Sequence, residues 1–149
     1  MRVVLQLVNN SSVDINDKTV ASIEKGFLLL LGVKNGDTEA DAVKLAKKIS
    51  VLRIFTDEND KMNLSLSDVG GTVIVVSNFT LYADCSHGRR PSFINAARPE
   101  VSEPLYEFFC NEMRKNGVDV QTGEFGADMQ VNLCNDGPIT LVIDSEDLK

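Results

Sequence analysis

Histidine, cysteine and tryptophan are almost missing from this chain. There is no Trp, one His and three Cys, and the aromatic residues are seven Phe and two Tyr. A core without indole must be aliphatic, drawn from Val, Leu, Ile and Ala. Cys85, Cys110 and Cys134 are odd in number and lack a C-x-x-C spacing. This excludes both a clustered zinc site and a paired disulfide framework, so neither a metal nor a cofactor is expected. No apolar run approaches the roughly 18 residues of a membrane span. The start, MRVVLQLVNN, turns polar too soon for a signal peptide. A soluble, cytoplasmic protein with no membrane partner is the expectation. The formal net charge of −7 opposes indiscriminate binding of nucleic acid, though not a local basic patch.

What is present suits one domain, 1–149: the chain is 43% hydrophobic, ample for a single core. Residues 2–8 and 11–15 read as extended, Asn16-Asp17 as a turn and 18–24 as the return strand. Phe27 to Val33 is apolar on both faces, the pattern of a buried central strand. Thr38 followed by Asp41 predicts a capping box for a helix whose core face is Ala42, Leu45, Ala46 and Ile49. Residues 51–55 read as extended, and 63–68 are too short to assign. A second buried strand, 72–76, is rich in β-branched residues. Residues 83–98 carry no regular pattern.

Ser102 is the expected cap of a second helix, with Pro104 in its first turn and Leu105, Phe108, Phe109 and Met113 on its buried face. Asn116-Gly117 ends it. Three strands, 118–123, 129–133 and 139–143, complete the chain. The expected fold is α+β: a mainly antiparallel or mixed β-sheet curled toward a barrel, with two principal covering helices.

Few groups offer chemistry. Ser77, Phe79 and Thr80 close the 72–76 strand, where hydroxyls and free N–H groups either satisfy a strand end or line a pocket. A nucleophilic hydroxyl needs a base, and the only imidazole is His87, in the irregular stretch. Cys85 two residues before it allows a thiol–imidazole pair. Arg89-Arg90 beside Pro91 suits phosphate contact or simple solvation. Gly137-Pro138 reads as a turn or as a cis bond whose redirected carbonyls accept from an ammonium group. Phe125, Gly126 and Met129 form a bend before a core strand, or a holder for a planar base.

Taken together, Ser77-Asn78-Phe79-Thr80-Leu81, Asn135-Asp136-Gly137-Pro138-Ile139-Thr140, Gly88-Arg89-Arg90-Pro91-Ser92-Phe93 and Phe125-Gly126-Ala127-Asp128-Met129 resemble the D-aminoacyl-tRNA deacylases of the bacterial and eukaryotic type. The resemblance runs nearly the whole length. It implies a homodimer that hydrolyses the ester between a D-amino acid, or mischarged glycine, and the 3′-terminal adenosine of tRNA.

On that resemblance Gly137 and Pro138 form a cis pair that enters the partner's pocket and rejects L-amino acids through backbone carbonyls. Ser77, Phe79 and Thr80 are then the catalytic residues of that pocket, with backbone N–H groups around Phe79 and Thr80 as the expected oxyanion donors. Asn78 binds substrate, and Phe125, Gly126 and Met129 hold the adenine. Arg89 and Arg90 meet the tRNA. Two positions depart from the family pattern: Asn78 stands where Gln is usual, and Leu7 where Arg is common.

Overall fold

The computed structural model describes residues 1–149. Its frame is a 14-residue strand, β1 (Arg2–Ile15), long enough to serve two neighbours in succession. Residues 2–8 pair antiparallel with β3 (Gly26–Gly32), and residues 11–15 with β2 (Lys18–Ile23). Asn16 and Asp17 both have left-handed φ, the conformation a two-residue hairpin loop requires. On its other edge β1 pairs antiparallel with β8 (Gln130–Asp144) over nearly its full length.

Beyond β3 the sheet becomes parallel, through β6 (Thr72–Ser77) and then β7 (Asp119–Thr122). The order is β2-β1-β3-β6-β7, with β8 on β1. The Ser22 N–H donates to Gln121 Oε1 at 2.8 Å, tying β2 to β7 as the sheet curls toward closure. The α+β expectation holds as a mixed, nearly closed barrel.

Both faces of β3 are buried. Phe27, Leu29 and Leu31 meet α1 (Glu39–Ser50) and α3 (Pro99–Lys115) in the larger cluster, while Leu28 joins Val8, Val13, Ile74 and Val76 inside the curl. The α1 capping box forms between Thr38 and Asp41, and Ala42, Leu45, Ala46 and Ile49 are its buried residues. The Met1 ammonium is buried too, bound to Asp37 Oδ1 at 2.7 Å and to Ser145 Oγ at 2.8 Å.

Several expected boundaries move. Helix α3 starts at Pro99, not at Ser102: Arg98 is extended, as a residue before proline is driven to be, and Pro99 is pre-set for the first helical position. Ser102 lies one turn inside, its hydroxyl donating to the Arg98 carbonyl at 3.1 Å. Pro104 therefore sits in the helix interior, past the first turn. Phe108 is only partly buried.

In the 51–55 stretch only Phe55 joins a strand, β4 (Phe55–Thr56), paired with β5 (Met62–Leu64). A short helix, α2 (Leu66–Val69), follows, capped by Ser65 and Asp68. The two strands expected over 129–133 and 139–143 are one, β8, because β1 is long enough to pair with both. Two register shifts opposite Gln6, Val8 and Asn10 absorb the residues between them.

Candidate active site

Strand β6 carries the chain to Ser77 in register with Leu31, and the Asn78 N–H continues the ladder by donating to the Leu31 carbonyl at 2.8 Å. The chain then tightens into a 3-10 turn, Phe79–Tyr82. Asn78 caps that turn: its Oδ1 accepts the Thr80 N–H at 3.2 Å and also the Thr80 hydroxyl. A backbone N–H can only donate, so the atom facing it must be the amide oxygen. The Nδ2 is thereby left as a donor with no partner in the fold. The Phe79 N–H opens the turn and has no partner within it.

The turn rests directly on β3. A Cβ at Gly32 would meet Leu81 Cβ at 3.0 Å and the Asn78 carbonyl at 3.2 Å, so any side chain there would push the turn outward. Arg2 clamps the turn from outside, donating to the Leu81 carbonyl at 3.1 Å and to Asp144 at 3.0 Å. Its guanidinium lies over the Tyr82 ring, 5.0 Å from the centroid.

Beside the turn lies a cleft of about 530 Å³, within the range of small-molecule sites and lined mainly by apolar groups. Ser77, Asn78 and Phe79 form one wall, and Phe125, Gly126 and Met129 another. The Phe79 ring meets Phe93 edge-on at 5.0 Å. Phe125 leans on Tyr106 at 5.9 Å, and the Tyr106 hydroxyl donates to the Val75 carbonyl at 2.7 Å, linking α3, β6 and this wall. Burial pushes the Tyr106 hydroxyl well above an ordinary phenol, so it stays protonated and donating. Neighbouring Cys110 is pushed up to about 11, again by burial, and is a packing group rather than a thiolate.

Of the remaining sequence candidates, Thr80 is exposed just outside the lining, tied back to Asn78. Arg89 and Arg90 stand exposed in the irregular segment and do not line the cleft. His87 Nδ1 meets Ser86 Oγ at 2.7 Å rather than a thiol. No three His, Cys, Asp or Glu side chains gather as metal ligands anywhere in the fold.

Gly137 and Pro138 are joined by a cis peptide bond, with Gly137 at φ 113°, open to glycine but strained for other residues. Both are exposed and neither lines this cleft. Asn135 brackets them, its Nδ2 donating to the Leu7 carbonyl at 2.9 Å and the Ile139 carbonyl at 3.0 Å. Sequence reasoning missed that bracket, and it missed Arg98, which lines the cleft. The signal for Arg98 was the proline after it, which marks a helix start beside the irregular segment.

The family model described as D-Tyr-tRNA(Tyr) deacylase matches residues 4–144. The chain belongs to this deacylase family. It is 54% identical over 147 residues to the D-aminoacyl-tRNA deacylase of Thermosipho melanesiensis, covering 98% of each chain. Against that of Lactobacillus acidophilus it is 56% identical over 144 residues, covering 97% of this chain and 99% of the relative. Among solved structures, the c-Myc DNA Unwinding Element Binding Protein superposes with TM-score 0.89 at 34% identity, over 97% and 98% of the two chains. A probable eukaryotic D-amino acid tRNA deacylase gives 0.82 at 21% identity, over 96% and 98%, a likeness of fold alone.

Within this deacylase framework the two departures acquire local explanations. Asn78, one methylene shorter than Gln, folds back on its own turn. The Leu7 side chain is 3% exposed in the core, and only its carbonyl serves the Gly-Pro segment.

Proposed function

We propose that the chain hydrolyses the ester between a D-amino acid, or mischarged glycine, and the 3′-terminal adenosine of tRNA, as a chiral proofreading step in the cytoplasm. The observation that carries this reading is the apolar cleft at the end of β6. A turn with an open N–H forms one wall, and no histidine, thiol or carboxylate lines it. An aminoacyl ester is already activated, so positioning, a donor for the developing oxyanion and a water suffice.

Phe125, Gly126 and Met129 hold the adenine, and Ser77 and Phe79 border the aminoacyl group. The Thr80 N–H is already taken by Asn78, so the Phe79 N–H is the backbone donor for the ester carbonyl oxygen. Water adds to that carbonyl, and the tetrahedral intermediate collapses by expelling the ribose oxygen, which takes up a proton. The Thr80 hydroxyl directs its own proton to Asn78, so it serves the water as an acceptor and does not attack.

The working unit is a homodimer. Gly137 and Pro138 are exposed and absent from their own chain's cleft, so the cleft they enter belongs to a second copy. There their carbonyls reject L-amino acids. The outer edge of β8 is unpaired, with Leu133 and Val142 exposed on it, which suits such a contact. Arg89 and Arg90 meet the tRNA outside the cleft.

Incubation with D- and L-tyrosyl-tRNA tests the reading, with release of the D-amino acid alone as the expected result. Equal hydrolysis of both, or of neither, overturns it. In single turnover, Thr80→Ala should slow the reaction without abolishing it, and complete loss would make Thr80 the nucleophile.

A further inference from the structure

We propose that Arg98 grips the phosphate that joins the terminal adenosine to the rest of the RNA. This rests on the deacylase reading and gives the cleft a specificity residue for the nucleotide half of its substrate. Of the fourteen residues that line the cleft, Arg98 is the only charged one. Its guanidinium makes no hydrogen bond or ion pair within the fold, whereas those of Arg2, Arg53 and Arg114 are engaged by Asp144, Asn63 and Asn111.

The backbone beneath Arg98 is fixed. Its carbonyl accepts the N–H groups of Val101 and Ser102, both at 2.9 Å, and the Ser102 hydroxyl at 3.1 Å. The preceding Ala97 N–H donates to the Val33 carbonyl at 3.0 Å. A rigid base with an unpaired planar fork at the rim of an apolar cleft suits a ligand with a flat apolar part and an adjacent phosphate. On a chain of net charge −7, that cation is also the local attraction such an anion needs. Arg89 and Arg90 lie off the cleft and are left for phosphates farther along the RNA.

The test compares two small D-tyrosyl esters, one on the 3′-oxygen of adenosine and one on that of adenosine 5′-phosphate. The full D-tyrosyl-tRNA is the third substrate. The wild-type protein should prefer the phosphorylated ester through KM by roughly ten- to hundredfold, the range for a hydrogen bond to a charged group. Arg98→Ala should bring that preference near parity, Arg98→Lys should recover part of it, and Lys44→Ala, an exposed cation of α1 away from the cleft lining, should keep it. On tRNA, Arg98→Ala should lessen the slope of log affinity against log salt by roughly 0.7, one phosphate's share on a single strand.

Loss of the preference in Lys44→Ala instead, or equal loss on both small esters in Arg98→Ala, overturns the proposal. Calorimetric binding of adenosine 5′-phosphate against adenosine is read independently of hydrolysis. It separates a failure at Arg98, where wild type and Arg98→Ala show the same ratio, from a failure of the deacylase reading, where no ester is cleaved.

Discussion

Asn135 is the residue whose replacement should connect stability with stereochemical choice most directly. Its Nδ2 supplies the two donors that hold the Leu7 and Ile139 carbonyls, at 2.9 and 3.0 Å, on either side of the Gly137-Pro138 segment. Asn135→Ala removes both donors and leaves two part-buried carbonyls without them. At roughly 1 kcal/mol net for each bond, the loss is about 2 kcal/mol. For a chain of this size, at roughly 2–4 °C per kcal/mol, the melting temperature should fall by about 4–8 °C.

Asn135→Asp is the sharper variant. It keeps the shape but turns a carboxylate oxygen toward two carbonyl oxygens, so at neutral pH it should cost more than alanine. Part of that cost should return as pH falls toward about 4, because two facing carbonyl oxygens favour the protonated carboxyl, which can donate. Urea unfolding at constant m reads the stability, and deacylation of D- against L-tyrosyl-tRNA reads the function. The D-over-L ratio should fall in both variants as Gly137 and Pro138 lose their placement. If both variants stay within about 0.5 kcal/mol of wild type, the ordinary range for surface changes, and the ratio holds, Asn135 does not bracket the segment.

Asp37→Ala strips the only carboxylate partner from a Met1 ammonium that is fully buried. It should cost about 3–5 kcal/mol by calorimetry, and a melting shift below about 2 °C would refute the pairing. Cys110 should be silent to a thiol reagent near neutral pH until denaturant is added, while the exposed Cys85 and Cys134 react at once. The folded Cys110 thiol is raised to about 11, above its unfolded value, so it stays neutral in the fold. Its contribution to stability is full below about pH 9 and is lost as pH climbs toward 11, and Cys110→Ala should flatten that limb.

Burial of Asp41 favours its neutral form, but hydrogen bonds from the Thr38 N–H and from the Ser145 and Thr38 hydroxyls prevail and hold its carboxyl below the usual range. That stability is present above the unfolded carboxylate value and lost as pH falls through the folded one. Asp41→Asn should therefore weaken the acid dependence of the unfolding midpoint.

What could be read from the chain depended on how local its cause is. The Thr38–Asp41 box lies within four residues and the Ala42, Leu45, Ala46, Ile49 face within one helix, so spacing alone revealed both. The apolar run at 27–31 announced a strand buried on two faces for the same reason. Ser102 misled because it is a good cap in isolation, while the Arg98-Pro99 pair upstream sets the actual start. The unity of β8 escaped because it depends on the length of β1, a partner more than a hundred residues away.

By itself, the sequence determined the class of fold, the elements whose periodicity is local, and the deacylase family, through motifs that need no coordinates to match. Tertiary structure alone decided which of those motifs share a space. Ser77, Asn78 and Phe79 come to face Phe125, Gly126 and Met129 because β6 and the segment after β7 end on the same side of the sheet. Arg98 joins them where Arg89 and Arg90 do not, since the Ala97 N–H donates to the Val33 carbonyl and holds the start of α3 beside the cleft. Gly137 and Pro138 are exposed and do not line that cleft. Proximity across a folded sheet is a sum over long-range pairings, and no window of sequence contains it.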